Sequence, residues 1–167
     1  RAFVATYVKK GATQGGSSLT QQYVKNVLLL QAQEDNDPIA EYHASEETVA
    51  RKLREMLIAV QMEKTYSKLE ILQGYLNIAQ FGRGIYGVEM AARRYFSTTA
   101  DKLDIVQAAT IAAITKNPAA FDPSVESNQK ASQRERNIVL DLMYQEKYIS
   151  QKQRDEAKAK PLKDRKS

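Results

Sequence analysis

Gly15-Gly16-Ser17-Ser18-Leu19-Thr20-Gln21-Gln22-Tyr23-Val24-Lys25-Asn26 is a small-residue turn that runs straight into a helix with a polar stripe. The glycines let the backbone take positive φ and approach a ligand closely. Ser17 or Ser18 is placed to cap the helix, and the free N–H groups at a helix start attract anions. Gln21, Gln22, Lys25 and Asn26 recur at spacings of three and four, so they share one face. Tyr23, Val27 and Leu30 lie off that stripe and are read as its apolar packing face. Two readings stand for the segment alone: an anion cradle whose lysine holds a phosphate as a point charge, or a capped amphipathic helix facing water.

Around this segment the composition is that of an ordinary folded protein. The chain has 167 residues, 43% hydrophobic and 27% charged, enough for one domain with a real core. It has no cysteine, which excludes disulfides and thiolate metal sites. A net charge of +5 permits nucleic acid, phospholipid headgroups or diphosphates as partners without choosing among them. No run approaches the ~18 apolar residues of a membrane-spanning helix, and there is no signal-peptide pattern. The abrupt start at Arg1-Ala2-Phe3-Val4 reads as a piece of a longer protein, with residues 157–167 the start of a linker or tail.

Helical periodicity dominates and strand-like alternation is almost absent, so the fold class is mainly α. Helices are expected over residues 2–9 and from Ser18 to Leu30. Residues 31–44 read as a mobile acidic connector. A second long helix is expected from near Ser45, with Glu46 and Glu47 at its positive end and Val49, Leu53, Met56, Leu57 and Val60 as its core stripe. Ser67 and Glu70 form a capping box for a helix through Ile71, Leu72, Tyr75 and Leu76. Gly82, Gly84 and Gly87 break it before a helix carrying Val88, Ala91, Ala92, Tyr95 and Phe96. Leu103 to Thr115 reads as a central buried helix stopped by Asn117-Pro118, and Phe121-Asp122-Pro123 as a loop. Further helices are expected over residues 128–145, with Ile138, Leu140, Leu142 and Met143 apolar, and near 150–159.

Several groups have both a chemical and a structural reading. Arg51 and Glu55, with Lys52 beside them, are either a surface ion pair or part of a cleft shared with Lys25. Arg83, between Gly82 and Gly84, either braces its turn through nearby carbonyls or reaches an anion bidentately. Tyr75 and Asn77 read as packing and capping groups. His43 is the only histidine and has no metal-ligating partners in sequence, so no metal site is expected. Phe3, Val4, Tyr7 and Val8, followed by Lys9 and Lys10, are either core or a lipid-facing segment. The basic tail at Lys163, Arg165 and Lys166 reads as a solvated end.

Taken together, these motifs resemble the peptidoglycan glycosyltransferase family, the transglycosylase domain of class A penicillin-binding proteins and of monofunctional transglycosylases. The family's Gly-Gly-Ser-Thr-Ile-Thr-Gln-Gln appears as Gly15 to Gln22, with Ser18 and Leu19 as conservative departures. Its Arg-Lys-x-x-Glu is Arg51 to Glu55, and its Lys-x-x-Ile-Leu-x-x-Tyr-Leu-Asn is complete from Lys68 to Asn77. Arg-Gly-x-x-Gly followed by Ala-Ala-x-x-Tyr-Phe runs from Arg83 to Phe96. The resemblance covers nearly all of the chain. The family's first motif, Glu-Asp-x-x-Phe-x-x-His, which carries the general-base glutamate, is not in this sequence. It is expected upstream, so this stretch alone is expected to be inactive. The segment from Asn26 to Arg51 is longer than in typical members, and Glu47 stands where many carry another arginine.

The resemblance implies an all-α, lysozyme-like glycosyltransferase domain with a small membrane-adjacent jaw subdomain. It implies lipid II and the lipid-linked glycan strand as substrates, joined through β-1,4 links with inversion and release of undecaprenyl diphosphate. Glu55 and Lys25 take catalytic roles on this reading, and Ser17, Ser18, Gln21, Gln22, Asn26, Arg51, Lys52 and Arg83 bind substrate. No tightly bound cofactor is implied; Mg²⁺ or Mn²⁺ would accompany the diphosphate. The implied setting is the extracytoplasmic face of the bacterial cell membrane. A transpeptidase domain in the same protein and other cell-wall synthesis proteins would be partners, and nucleic acid would not. A lysozyme-like hydrolase wants a carboxylate pair about the sugar bond in place of a lysine-bearing cradle. A basic binding module has no use for this combination of motifs.

Overall fold

In the computed structural model, residues 18–162 are described. The chain divides into two compact units, Arg1–Ile78 and Ala79–Ser167. The helix expected over residues 2–9, the Phe3–Val8 patch with Lys9 and Lys10, the Gly15-Gly16 turn, Ser17 and the basic tail all lie outside the described residues.

The first unit opens with α1, Leu19–Glu34. Ser18 caps it: its hydroxyl accepts from the Gln21 amide at 3.2 Å while its own N–H donates to Gln21 Oε1 at 2.9 Å. The helix runs four residues beyond the expected end at Leu30. Its buried residues are Thr20, Val24 and Ala32, one turn apart or two, whereas Val27 is exposed and Tyr23 and Leu30 are only partly covered. The packing face is therefore rotated from the expected Tyr23, Val27 and Leu30.

The acidic connector is mostly helical. Asn36 takes φ 51° and ends α1. Asp37 then caps α2, Pro38–Ser45, by accepting from the Ile39 and Ala40 amides at 3.0 Å each, with Pro38 preset at the first helical position. Gln33 donates to Glu41 at 2.9 Å and ties α2 to α1. The acidic residues that suggested a mobile linker are thus used as caps and bridges.

Helix α3, Val49–Thr65, begins after the expected Ser45 because Ser45 still belongs to α2 and Thr48 supplies the cap, accepting from the Arg51 amide at 3.1 Å. Its expected core stripe is reversed. Val49, Leu53, Leu57 and Val60 are exposed, Leu57 by 68%, while Arg51, Glu55 and Ala59 are buried. Helix α4, Lys68–Ile78, starts at the expected box: the Ser67 N–H and hydroxyl both donate to Glu70 at 2.7 Å. The N–H bond, and then the hydroxyl bond, hold the Glu70 carboxyl below the usual carboxylate range. Helix α1 packs on α2, α3 and α4.

The second unit begins with a short antiparallel hairpin, β1 Gln80–Gly82 and β2 Ile85–Tyr86, where no strand was expected. Gly84 turns it at φ 72°. Helix α5, Val88–Phe96, follows, then α6, Ile105–Ile114, whose Ala109, Thr110, Ile111, Ala113 and Ile114 are buried as expected. Asn117 caps the short α7, Pro118–Phe121. Helix α8, Gln129–Gln145, and α9, Gln151–Ala159, complete the unit. Of the apolar positions on α8, Leu140 is buried but Ile138 and Leu142 are exposed. Ala109, Leu140, Ile149 and Ala157 make the core of α6, α8 and α9.

Candidate functional site

The buried ridge of α3 gathers charged side chains inside the first unit. Glu55 is only 2% exposed, and Arg51 4%. Arg51 donates from Nη1 to Glu55 Oε1 and from Nε to the Glu46 carbonyl. Lys52 Nζ lies 3.3 Å from Glu55 Oε2. Spacing of three and four along one helix brings both cations onto the same carboxylate. What the spacing alone left open between a surface pair and a cleft group is resolved at the level of burial: this pair is inside. A charge taken out of water survives only if it is paired and bonded, and both Glu55 oxygens are.

Helix α1 carries the second part. Its start lies beside the end of α3, where the buried Thr20 hydroxyl donates to Glu63 Oε1 at 2.6 Å. Lys25 and Asn26 are partly exposed on the polar stripe. Among the described residues Lys25 has no ion-pair partner, so its charge is available to a ligand. Gln21 commits its carbonyl oxygen to the Ser18 N–H. Gln22 accepts from the Tyr75 hydroxyl at 3.5 Å. Each glutamine then has its amide NH₂ left to donate, so the stripe presents donors and a positive charge. That is the complement of phosphate and sugar oxygens.

Helix α4 holds α1 closely. A Cβ at Gly74 would come within 2.6 Å of Tyr23 Cζ, so only glycine lets the two helices approach this far. Tyr75 is buried beside it, in the packing role expected of it. Asn77 is exposed. Arg83 belongs to the second unit, exposed at the hairpin turn, and makes no hydrogen bond or ion pair among the described residues. The bracing of its turn by carbonyl contacts is therefore not seen. His43 is exposed and pairs with Glu46 at 3.1 Å.

Thr20, Glu63 and Thr48 were not singled out from sequence. The signal for Thr20 was a hydroxyl on the inward side of α1, which needs a partner when buried. Glu63 carried none. No group of three or more His, Asp or Glu side chains able to hold a metal occurs among the described residues. Both Glu55 oxygens are already engaged by cations, which leaves neither of them free for a divalent ion.

The family model described as "Transglycosylase" matches residues 1–144. This chain belongs to the transglycosylase family. Penicillin-binding protein 1A of Aquifex aeolicus is 39% identical over 97% of the chain, and that match spans 20% of the relative. Penicillin-binding protein 1A/1B of Bacillus subtilis is 39% identical over 98% of the chain and 16% of its own length. The 2.6 Å crystal structure of penicillin-binding protein 1A from Haemophilus influenzae matches with a TM-score of 0.55 and 26% identity, over 92% of this chain and 18% of that one. The chain thus spans a fifth or less of the length of these relatives. The mainly helical, lysozyme-like fold of this transglycosylase agrees with the reading of its motifs.

Proposed function

We propose that this transglycosylase domain polymerises lipid II into the glycan strands of peptidoglycan. The observation that carries the proposal is the buried Arg51–Glu55 pair, with the half-buried Lys52 beside it, on a helix packed against α1, whose stripe offers Lys25, without an ion-pair partner among the described residues. The acceptor sugar's 4-hydroxyl attacks the donor's anomeric carbon. The bond from that carbon to the diphosphate oxygen breaks with inversion, and its electron pair leaves with undecaprenyl diphosphate. The acceptor's proton passes to the first-motif glutamate, which the resemblance places N-terminal to Gly15.

Negative charge grows on the leaving diphosphate, where a fixed cation and amide donors act most strongly in the transition state. Lys25 supplies the charge, with Gln21, Gln22, Asn26 and Ser18 as donors on the same helix and its cap; the motif gives Ser17 the same role. Arg51 is too enclosed to approach a ligand broadly and serves by holding Glu55, which orients the donor end of the site. Lys52 adds positive charge beside Glu55. Any Mg²⁺ or Mn²⁺ arrives with the diphosphate.

A lipid-linked substrate requires the domain to work at the membrane. The exposed apolar stripe of α3 supports a membrane-adjacent jaw in the first unit, on the extracytoplasmic face of the bacterial cell membrane. No helix among the described residues is long and apolar enough to cross a membrane. The relatives are named penicillin-binding proteins, which extends the proposal to a transpeptidase domain elsewhere in the full protein, working with other cell-wall synthesis proteins.

In the full-length protein, Lys25→Ala and Glu55→Gln should each lower glycan polymerisation from lipid II by about a hundredfold or more. Circular dichroism should show the helices intact. Wild-type turnover in both variants would overturn the site.

A further inference from the structure

We infer that Glu63 is a positioning residue for the donor stripe of α1, acting through Thr20; this rests on the functional reading above. Thr20 lies on the inward side of α1, 6% exposed, one turn before Val24 and next to Gln21. Its hydroxyl has one partner, Glu63 Oε1, at 2.6 Å. A hydroxyl that donates to a carboxylate makes a charge-assisted bond, stronger than a neutral pair. Glu63 forms no ion pair among the described residues, so no cation competes for it.

The placement gives this bond its consequence. Glu63 stands eight residues beyond Glu55 on α3, and Thr20 five before Lys25 on α1. At ~1.5 Å per helical residue, the contact pins the two helices about 12 Å from Glu55 and about 8 Å from Lys25. A carboxylate at the start of α1 also sits in the positive end of that helix. On the other side, Tyr23 against Gly74 and Gln22 against Tyr75 fix α1 on α4. Without the Glu63 bond, α1 keeps its packing on α2, α3 and α4 but loses the side-chain hydrogen bond that ties its first turn to α3. Its first two turns, with Gln21, Gln22 and Lys25, are then held less firmly relative to Glu55, and small displacements of positioned groups cost heavily in rate and binding.

The test uses the full-length protein and the variants Glu63→Ala, Thr20→Val, Thr20→Ser and the double Thr20→Val/Glu63→Ala. Hydrogen exchange of the α1 amides reads the strut without reference to any substrate. Lipid II kinetics, and binding of a polyprenyl diphosphate probe, read its service to the site. Glu63→Ala and Thr20→Val should each speed exchange in the first turns of α1. Each should also raise KM for lipid II and weaken probe binding about tenfold, with kcat less affected and melting temperature near wild type. The double variant should be no worse than either single, and Thr20→Ser should behave as wild type. Unchanged exchange, additive losses, or a Thr20→Ser as impaired as Thr20→Val would each overturn the inference. Faster exchange with unchanged KM and probe affinity would overturn its link to the site. Wild-type protein that makes no glycan and binds no probe would instead overturn the functional reading, with the exchange data still deciding whether the strut exists.

Discussion

Arg51 and Arg136 show two ways to keep an arginine inside. Arg51 is neutralised by Glu55. Arg136, fully buried on α8, has no carboxylate partner among the described residues; it donates to Asn137 Oδ1 and, at 3.0 Å, to the Lys160 carbonyl just past α9. Burial pulls its guanidinium below the ordinary value, yet it stays charged and suits the negative end of α9. Neither burial is visible in residue spacing, because an i,i+4 pair looks the same on an exposed and a covered face. Gly82 is a sharper residue-scale case. A Cβ there would collide with the Tyr95 hydroxyl and lie 3.1 Å from Ile85 Cδ1. Gly82→Ala should therefore destabilise the domain by ~1–3 kcal/mol, measured by urea unfolding. An unchanged midpoint would mean that the hairpin yields freely. Sequence marked Gly82 as a helix breaker; that it also makes room for Tyr95 appears only once the hairpin and α5 are packed.

Among the elements, α3 departs furthest from its sequence pattern. Its 3.6-residue apolar stripe is present in sequence, and the expectation that it faces inward is sound for a helix whose polar side is wet. Here the inward ridge is Arg51, Glu55 and Ala59, whose charges cancel and bond, so the apolar stripe is left outside. Periodicity finds the stripe but cannot say what covers it. The start of α3 rests on one hydroxyl: Thr48→Ala should cost about 1 kcal/mol, seen as a lower melting temperature, and should loosen the turn that carries Arg51. A variant as stable as wild type would show the cap to be idle. The capping boxes at Ser18, Ser67, Asp104 and Ser150 are different in kind. Each needs only residues three apart, so the one at Ser67 was legible in advance. The hairpin was not, since strands of three and two residues have too few positions to show alternation.

Across the molecule, the second unit ties its hairpin to α5 through Tyr95, whose hydroxyl donates to the Phe81 carbonyl at 2.8 Å. Burial, and then the Asp122 carboxylate, push its ionisation well above the ordinary tyrosine range. A group whose folded value is raised contributes stability that is complete below its unfolded value and is lost as pH rises towards the folded one. Stability should thus fall above about pH 10 in wild type, with a shallower fall in Tyr95→Phe when unfolding is followed from pH 8 to 11. Equal slopes would show that Tyr95 does not control the alkaline limb. At this scale the division between sequence and structure is clear. The order of four motifs, the helical class and the caps were set by residues near one another in the chain, and those sufficed for the family. Burial of Arg51 and Glu55, the outward turn of the α3 stripe and the Thr20–Glu63 contact join residues up to 43 positions apart. They were decided only by packing, because which face of a helix loses water depends on what else the chain brings against it.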